Sequence, residues 1–521
     1  MKNRYNKNGP VVTVILPTFN RPQYFNKALS SVLRQSYENI QVIVINDGGT
    51  DVSDIVDSFA DTRIVFINRK QNRGKACSLN EAFEYVQGKY ISYLDDDDLY
   101  YPNHVEILVD TLENRTDCGV AYSDLYKAYC RVSQDGSRQV LSKVVEVSKD
   151  FDRFFMLYFN HVLHVSLMHR FDLIEKTGPY NENLDVLIDW DMTRRLAFFT
   201  DFQHVYEITG EYYHPMGESD RISFQQRKDK QNYLKNVLAI RTTRPGKPWP
   251  KIKDMSIIFV SDKLDKQAGQ TISSVWQNAF YPYKLYLPMS QAEFNRLNTD
   301  MPNLEYIPVN PEDSQAKKID SALKYCEGEY ITVVPSGFIV KDSTIENSLY
   351  ALMNCKVMNK GYLLGQSEDN NWAAVFRKED LISARRNFRD LPILDSLNAA
   401  GMKLEKPEFE ELPFQFDNML RQAFSAKNDG DWLLAAQIYE HIAGNHQNEL
   451  WMKRLTANAL YKAGNKTLAA EYCRQLNQER PTIDTLLLEA KIKREEKEYD
   501  YAIELLTSAQ RSIEGQDYLW T

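Results

Sequence analysis

Residues 90–102 read YISYLDDDDLYYP, and they decide how the first part of the chain is interpreted. The β-branched and aromatic residues at 90–94 are typical of a buried strand. Four consecutive carboxylates, at 95–98, follow it directly. In open α/β sheets, ligands bind at the carboxyl ends of the strands. Adjacent carboxylates repel one another, and all-oxygen ligands favour a hard cation such as Mg2+ or Mn2+. The stretch therefore predicts a site for a metal and a diphosphate, with a solvated acidic turn as the alternative.

The bulk composition indicates a multidomain globular protein. The chain has 521 residues and a formal net charge of -9, with 43% hydrophobic and 26% charged residues. An acidic balance argues against general nucleic-acid binding. The six cysteines form no CxxC pair, which favours reduced thiols in a cytosolic protein. No apolar run approaches the ~18 residues needed to span a bilayer. We expect a cytoplasmic protein, and peripheral contact with the inner face of the membrane stays open.

The residues around this stretch alternate between strand-like and helix-like patterns. Apolar runs at 11–16, 40–45 and 64–67 read as strands, and segments with helical spacing lie between them. This alternation predicts a mostly parallel sheet. Each polar loop follows a strand, so these loops should gather at one edge of the sheet. There is no GxGxxG and no Walker lysine motif, so neither a dinucleotide fold nor a P-loop is indicated.

Four ordered motifs then suggest a family. PTFNR at 17–21, VINDGGTD at 44–51, NRGKA at 72–76 and YLDDDD at 93–98 resemble the nucleotide-sugar domain of family 2 glycosyltransferases. These enzymes have the GT-A fold, which is Rossmann-like. The resemblance covers about 10–225, and the ordered set is more specific than any single motif. It assigns the following residues to the nucleotide sugar: Pro17, Thr18, Asn20, Arg21, Asn46, Asp47, Arg73, Lys75, Asp95 and Asp96. Many members carry Asp at the position of Asn46.

The same resemblance implies a metal site and a general base. Asp95 and Asp97 fit the DxD positions, so a Mn2+ or Mg2+ cofactor is expected. The resemblance makes Asp97 a metal ligand, places Asp95 toward the ribose or the metal, and has His214 either completing the metal shell or lying in a surface loop. Asp189 occupies the position of the general base, where it can accept the proton of an acceptor hydroxyl. Ile188 replaces the Glu that usually precedes it. The alternative for Asp189 is a helix cap, and Asp191 is expected to be structural.

The chain after a Pro-rich segment repeats the pattern of the first domain. Ser256 matches Thr13 at a shift of 243 residues, and Asp320 matches Asn80 at a shift of 240. In this second copy PSGF at 335–338 replaces the four aspartates, and 287–289 stand where residues 45–47 stood. We therefore expect a degenerate GT-A-like domain that holds no metal nucleotide. Its role would be structural, dimerising or acceptor-guiding.

The last part of the chain is predicted to be helical, with a repeat. GDWLLA at 430–435 recurs as GNKTLA at 464–469, and KEYDYA follows at 497–502. Periods of 34 and 33 residues resemble tetratricopeptide (TPR) repeats. Such arrays bind peptides or pack against another subunit, so a protein partner or a homo-oligomer is open.

The predicted architecture is α/β followed by an all-α end. Its domains are a catalytic GT-A domain at 1–240, a Pro-rich linker at 241–253, a degenerate GT-A-like domain at 254–410 and a TPR-like domain at 411–521. The predicted function is metal-dependent, inverting transfer of a sugar from a nucleotide sugar, with UDP as the expected nucleotide, to a hydroxyl of a surface glycan or protein, as in bacterial cell-surface glycosylation. The alternative is a catalytically inactive scaffold that binds partners through its repeats.

Overall fold

The structure is a computed structural model that describes residues 9–145, 147–216, 229–297, 299, 301–366, 372–407, 415–445 and 449–517. The chain divides into two compact units. The first comprises Met1–Asp152, Asn160–Lys230 and Asn418–Thr521, and the second comprises Arg153–Phe159 and Gln231–Asp417. The C-terminal helices thus belong to the same unit as the N-terminal sheet. No described helix has both the length and the apolar character needed to cross a membrane.

The first unit contains a mixed sheet of nine described strands in the order β3-β2-β1-β4-β8-β6-β9-β5, with β7 paired to β6. The strands are β1 (Val12–Thr18), β2 (Ile40–Asn46), β3 (Ile64–Asn68), β4 (Tyr90–Tyr93), β5 (Leu99–Tyr100), β6 (Cys118–Val132), β7 (Arg138–Val144), β8 (Leu167–Arg170) and β9 (Asp201–Pro215). Strands β1 to β4 pair in parallel. They are continuous apolar runs because both faces of a parallel sheet are covered.

Helices cover this sheet and set the positions of its loops. Their bounds are α1 (Pro22–Leu33), α2 (Ser53–Phe59), α3 (Lys75–Phe83), α4 (His104–Asn114), α6 (Ile174–Thr177) and α7 (Ile188–Leu196), with 3-10 turns at His164–Ser166 and Phe171–Leu173. Helix α5 (Arg153–Tyr158) belongs to the second unit. Helix α1 begins at Pro22, which suits the first turn of a helix. Its buried residues Phe25, Leu29 and Val32 recur at helical spacing and pack into the core beneath β1 and β2.

The second unit contains a seven-stranded sheet in the order β12-β11-β10-β13-β15-β14-β16 among its described residues. Its elements are α8 (Lys230–Thr242), β10 (Met255–Val260), α9 (Lys266–Asn278), β11 (Tyr283–Met289), α10 (Gln291–Leu297), β12 (Leu304–Pro308), α11 (Gln315–Leu323), β13 (Tyr330–Pro335), α12 (Thr344–Asn354), β14 (Lys360–Gln366), β15 (Trp372–Arg377), α13 (Lys378–Asn387), α14 (Ile393–Ala399) and β16 (Lys403–Glu405). Strands β10 to β13 pair in parallel, as β1 to β4 do.

One glycine, two residues before a strand in each unit, shows that the two folds correspond in detail. The N–H of Gly88 donates to Thr13 Oγ1 at 3.0 Å, and the N–H of Gly328 donates to Ser256 Oγ at 3.0 Å. A Cβ at either glycine would lie 2.6 Å from the backbone nitrogen of that partner. The pairing register also places Met289, rather than Pro288, at the position of Asn46, one residue away from the match read off the sequence.

The C-terminal helices stack in sequence as α15 (Gln415–Asn428), α16 (Trp432–Asn445), α17 (Glu449–Lys462), α18 (Lys466–Glu479), α19 (Ile483–Glu495) and α20 (Tyr499–Asp517). The array contacts the sheet of its own unit at the start of α19. The N–H of Ile483 donates to Tyr126 Oη at 3.2 Å, and both residues share an apolar cluster with Tyr101 and Val145. Arg480 lies 3.4 Å from Asp124. These contacts join the helices to the N-terminal fold.

Candidate functional site

Three carboxylates converge in the turn that follows β4. The N–H of Asp98 donates to the carbonyl of Asp95 at 3.1 Å, which closes a tight turn. Asp95, Asp97 and Asp98 each place an oxygen within 4.8 Å of the other two. The sequence assigned Asp95 and Asp97 to a cation and Asp96 to the nucleotide sugar. The third side chain of the group is Asp98, because the turn brings the side chains of the first, third and fourth aspartates to one side of the backbone.

The Asp96 carboxylate lies against the loop after β1 instead. Its Oδ2 accepts Thr18 Oγ1 at 2.8 Å and the Phe19 N–H at 3.2 Å, and its Oδ1 lies 3.3 Å from Arg21 Nη1. Burial and the neighbouring Asp97 raise the pKa of Asp96 to about 6, although Arg21 opposes this. Thr18, Arg21 and Asp96 therefore link the loop after β1 to the turn after β4.

Basic side chains surround the three carboxylates. Lys75, at the start of α3, forms an ion pair with Asp95. Burial lowers the pKa of Lys75, but Asp95, Asp189 and Asp98 outweigh this effect and raise it. Arg21 Nη1 lies 3.0 Å from Asp97 Oδ2. These contacts offset part of the like-charge repulsion among the aspartates.

A further basic residue, Arg138, reaches the same turn from β7. Its Nη1 donates to the backbone carbonyl of Asp97 at 2.7 Å, and its Nη2 lies 3.5 Å from Asp97 Oδ2. The guanidinium carbon lies 3.7 Å from the ring centre of Tyr24 and 4.7 Å from that of Tyr213. Sequence reasoning missed Arg138, since it lies 41 residues beyond Asp97 and belongs to none of the four motifs.

Asp47 joins the loop after β2 to the loop before α3. Its oxygens accept the backbone N–H of Arg73 at 2.9 Å and of Gly74 at 2.8 Å. The side chain of Arg69 also donates to Asp47 at 2.9 Å. Arg73 is exposed beside this loop. Arg69 was absent from the predicted set, although its place directly after β3 was a usable signal.

Asn46 and Asn20 shape the loops around Asp47. Asn46 Nδ2 donates to the Thr50 carbonyl at 3.1 Å and to Asn68 Oδ1 at 3.0 Å. Asn20 Oδ1 accepts the N–H of Thr50 at 2.9 Å. Pro17 lies in β1, next to the end of the strand. The structure thus brings these predicted donor residues to the same edge of the sheet, and their contacts with a nucleotide sugar stay a prediction.

Asp189 lies in the first turn of α7, beside the charges of the turn after β4. Asn160 Nδ2 donates to Asp189 Oδ2 at 3.2 Å. Burial raises the pKa of Asp189, Asp95 adds to the rise, and Lys75 opposes it. The side chain is partly buried. Lys75 therefore interacts electrostatically with both the carboxylate group and Asp189, which indicates one continuous site.

Asp191, on the same helix, has different surroundings. It is buried and accepts two hydrogen bonds from Arg195, at 2.6 and 3.0 Å. Arg195 also donates to the carbonyl oxygens of Thr177 and Gly178, at 2.7 and 3.0 Å. Asp191 thus holds the start of α7 against the end of α6, as expected for a structural residue.

Three histidines in the later part of the first unit contact aromatic rings. His164 stacks on Tyr93 with ring centres 4.2 Å apart, and His169 Nε2 lies 2.7 Å from the hydroxyl of Tyr93. His214, at the end of β9, meets the ring of Tyr129 edge-on at 5.3 Å. Among the described residues, the group of close metal-ligand types does not include His214. Arg221, which the sequence offers as a contact for the diphosphate or as a partner of Asp220, lies outside the described residues.

The carboxylate group fits a hard divalent cation. Three oxygens from separate carboxylates within 4.8 Å of one another form an all-oxygen donor set, which suits Mg2+ or Mn2+ rather than a softer metal. Two of the three side chains are buried, so their charges need compensation within the site.

Comparison with known proteins gives this site a family. Residues 13–164 match the model of the glycosyl transferase family 2. Those residues contain β1 to β4 and the carboxylate turn. The site therefore lies in the part of the chain that is similar to family 2 glycosyltransferases.

Relatives of the glycosyltransferase domain carry names that agree with this match. An uncharacterized glycosyltransferase of Rickettsia prowazekii is 31% identical over 195 residues, which cover 35% of this chain and 58% of the relative. An uncharacterized glycosyltransferase of Haemophilus influenzae is 41% identical over 110 residues, covering 20% of this chain and 34% of the relative. The chain thus spans little more than half of one curated relative and about a third of the other.

A solved structure similar to this chain is S. aureus TarS 1-349 in complex with UDP-GlcNAc. The likeness has a TM-score of 0.36 and 17% sequence identity, and it covers 44% of this chain and 66% of the TarS chain.

Proposed function

We propose that this protein is a metal-dependent, inverting glycosyltransferase that uses a nucleoside-diphosphate sugar, with UDP as the nucleotide. The observation that carries the proposal is the group of Asp95, Asp97 and Asp98 inside a family 2 glycosyltransferase domain. Lys75 supports it, because the same ammonium interacts with Asp95 and with Asp189. A donor bound at these aspartates would therefore lie close to the proposed base.

The donor would lie along the edge formed by the ends of β1, β2 and β4. Thr18 and Asp47, with Arg73 nearby, would contact the base, and Asp95 and Asp96 would face the ribose side. Lys75 and Arg21 would contribute positive charge to the diphosphate. Asp95, Asp97 and Asp98 would hold Mn2+ or Mg2+, which stabilises the departing diphosphate when bound.

Asp189 would act on the acceptor hydroxyl. As the acceptor oxygen forms its bond to the anomeric carbon, Asp189 takes its proton, and the electron pair of the breaking bond leaves with the diphosphate. One displacement from the face opposite the leaving group inverts the anomeric configuration. Because burial raises the pKa of Asp189, its carboxylate is a stronger base than an exposed one.

The acceptor would be a hydroxyl of a surface glycan or a protein, and the protein would work in the cytoplasm, at the inner face of the membrane. The helical array supports a protein acceptor or partner, since it has the period of TPR-like repeats and is fixed to the same unit as the carboxylate turn. His214 would complete the metal shell only if its ring approached the three aspartates.

The test is donor turnover by the full chain. Purified protein with Mn2+ and a panel of UDP-sugars is expected to release UDP from one donor, slowly with water and faster with its acceptor, and chelation with EDTA should stop the release. GDP- and dTDP-sugars are run in parallel. If no donor yields free nucleotide with any candidate acceptor, the protein is a scaffold and the proposal fails.

A further inference from the structure

Asp97 is contacted by two arginines that are held in different ways. Arg21 Nη1 lies 3.0 Å from Asp97 Oδ2 and 3.3 Å from Asp96 Oδ1, and its side chain is 25% exposed. The side chain of Arg138 is 10% exposed and approaches the same oxygen of Asp97 at 3.5 Å. A cation bound to that oxygen would meet two positive charges, so the two arginines cannot both keep these positions.

Arg138 is fixed independently of the Asp97 carboxylate charge. Its shortest hydrogen bond, at 2.7 Å, is to the backbone carbonyl of Asp97. A cation bound to the Asp97 side chain would leave this hydrogen bond in place. The rings of Tyr24 and Tyr213 enclose the guanidinium. The hydroxyl of Tyr24 also donates to the Gly136 carbonyl at 2.6 Å, which ties the hairpin before β7 to α1.

The surroundings of the Arg138 side chain also indicate that it is fixed independently of the Asp97 carboxylate. Its Nε is buried and has no hydrogen-bond partner within the described part of the chain. Such orphaned donors are rare in folded proteins. Here the two rings and the Asp97 carbonyl fix the side chain, and Arg138 thereby fixes the backbone from which the Asp97 carboxylate extends.

Arg21 forms ion pairs with two carboxylates. It precedes α1, whose first residue is Pro22, and its guanidinium contacts the side chains of Asp96 and Asp97. Like charges a few ångströms apart repel each other strongly where water is largely excluded. A divalent cation on Asp97 would therefore repel Arg21, whereas Asp96 would still attract it. Phosphate oxygens beside the cation offer a guanidinium a bidentate partner.

We propose that Arg138 is a positioning residue that holds Asp97 ready for the cation, and that Arg21 occupies the Asp97 carboxylate until the cation displaces it toward the donor diphosphate. This inference rests on the proposed function, since it requires the cation and the diphosphate. It predicts opposite effects for the two arginines. Removing Arg21 removes a competitor of the metal, and altering Arg138 disturbs a ligand of the metal.

The experiment measures binding of Mn2+ alone to the full chain, from the electron paramagnetic resonance signal of free Mn2+. Arg21→Gln is expected to bind Mn2+ about tenfold more tightly, because a like charge is gone. Arg138→Lys keeps the charge but loses the planar stacking and the forked contact, so it should bind Mn2+ about tenfold more weakly. Arg131→Gln, on the exposed end of β6, is the control and should match the wild type.

A second measurement separates displacement of Arg21 by the cation from a simple effect of removing the Arg21 charge. With saturating Mn2+, Arg21→Gln should bind UDP about tenfold more weakly than the wild type, because the diphosphate loses an arginine. Arg21→Lys keeps the charge and should bind Mn2+ as the wild type does. If Arg138→Lys is unstable in thermal unfolding, Tyr24→Leu tests the same support, since it removes one ring and the tie to Gly136. It should also weaken Mn2+ binding.

The outcomes distinguish the two proposals. If wild-type protein binds no Mn2+, the proposed metal site fails and this inference fails with it. If the wild type binds Mn2+ but Arg21→Gln weakens the binding, or Arg138→Lys leaves it unchanged, the division between the two arginines is wrong while the proposed function stands.

Discussion

The turn after β4 and the turn after β13 have the same backbone and different chemistry. The N–H of Asp98 donates to the carbonyl of Asp95 at 3.1 Å, and the N–H of Phe338 donates to that of Pro335 at 3.2 Å. Each turn follows a strand that pairs in parallel with the first strand of its sheet. The same backbone hydrogen bond therefore closes the turn in the second copy without any aspartate. The four aspartates are not needed for the fold, and their mutual repulsion costs stability.

The basic residues differ between the copies together with the acidic ones. By the register of the two sheets, Leu264 stands at the position of Arg21 and Gln315 at that of Lys75. In the second copy Glu293 accepts the N–H groups of Leu264 and Ser290, at 3.2 and 3.1 Å, and so closes the loops after β10 and β11 onto each other. The comparison shows that the carboxylates and their basic partners occur together in the first copy and are missing together from the second. The fold itself forms in both cases.

The largest effect is expected for Asp97, one of these carboxylates. Asp97→Ala should abolish Mn2+-dependent donor binding and lower turnover by about 10³-fold or more, because the cation contributes several kcal/mol at the departing diphosphate. Isothermal titration with UDP and Mn2+ measures the binding. Ser336→Ala, in the equivalent turn of the second copy, is the control. Binding that survives in Asp97→Ala and still depends on Mn2+ would show that Asp97 is not a ligand.

The next effect concerns the proposed general base. Asp189→Asn is expected to bind the donor normally and to lower kcat by roughly 10²–10⁴-fold, since an amide cannot take the acceptor proton. Steady-state kinetics with donor and acceptor measures the loss. Wild-type turnover would remove Asp189 from the chemistry and leave it as a helix cap.

Asp191→Asn provides the matched control for Asp189. It should unfold at a lower temperature because Arg195 loses its buried partner, a change that costs about 3–5 kcal/mol. The fraction that stays folded should keep its turnover.

A third test addresses the shared fold alone. Gly88→Ala and Gly328→Ala should each lower the free energy of unfolding by about 1–3 kcal/mol, because the new methyl group would overlap a neighbouring backbone nitrogen. Denaturant titration measures both. Gly269→Ala, in α9 with open space around it, is the control and should be neutral or stabilising. If Gly88→Ala leaves the free energy of unfolding unchanged while Gly328→Ala lowers it, the two glycines do not play the same structural role.

The smallest effect is expected in the pH dependence of kcat/KM, which reports on the first copy. Burial raises the pKa of Asp189 above its ordinary value, and the base works only when ionised. As the pH falls through that raised pKa, kcat/KM should fall by about tenfold per pH unit. The acid limb should therefore lie above pH ~4, the value for an ordinary carboxyl group. A profile that stays flat down to pH 4 would show that the rise has no bearing on the reaction.

Much of this organisation could be predicted from sequence because it depends on local patterns. The alternation of apolar strands and amphipathic helices predicts two α/β sheets, and both are present. The helical end is also present. The relation of Gly88 to Gly328 follows from a repeat that can be read directly. Strand ends in parallel sheets meet at one edge, so Asp47, Lys75 and Asp95 could be grouped before any coordinates were known.

Contacts between distant segments could not be predicted in this way. Arg138 reaches Asp97 only because β7 folds back on β6, and Asn160 reaches Asp189 across 29 residues. The choice of Asp98 over Asp96 depends on the geometry of a four-residue turn, in which neighbouring side chains point in different directions. The joining of the C-terminal helices to the first sheet rests on Tyr126 and Ile483, which are 357 residues apart.

The sequence by itself determined which strands end in charge and which of the two copies keeps its carboxylates, because composition and periodicity are local properties of the chain. The tertiary structure decided which of those charges meet: Asp98 in place of Asp96 in the carboxylate group, and Arg138 beside Arg21 on Asp97. These contacts cannot be predicted from the sequence, because a charge interacts with any group within a few ångströms. The fold brings within that distance residues that are far apart along the chain.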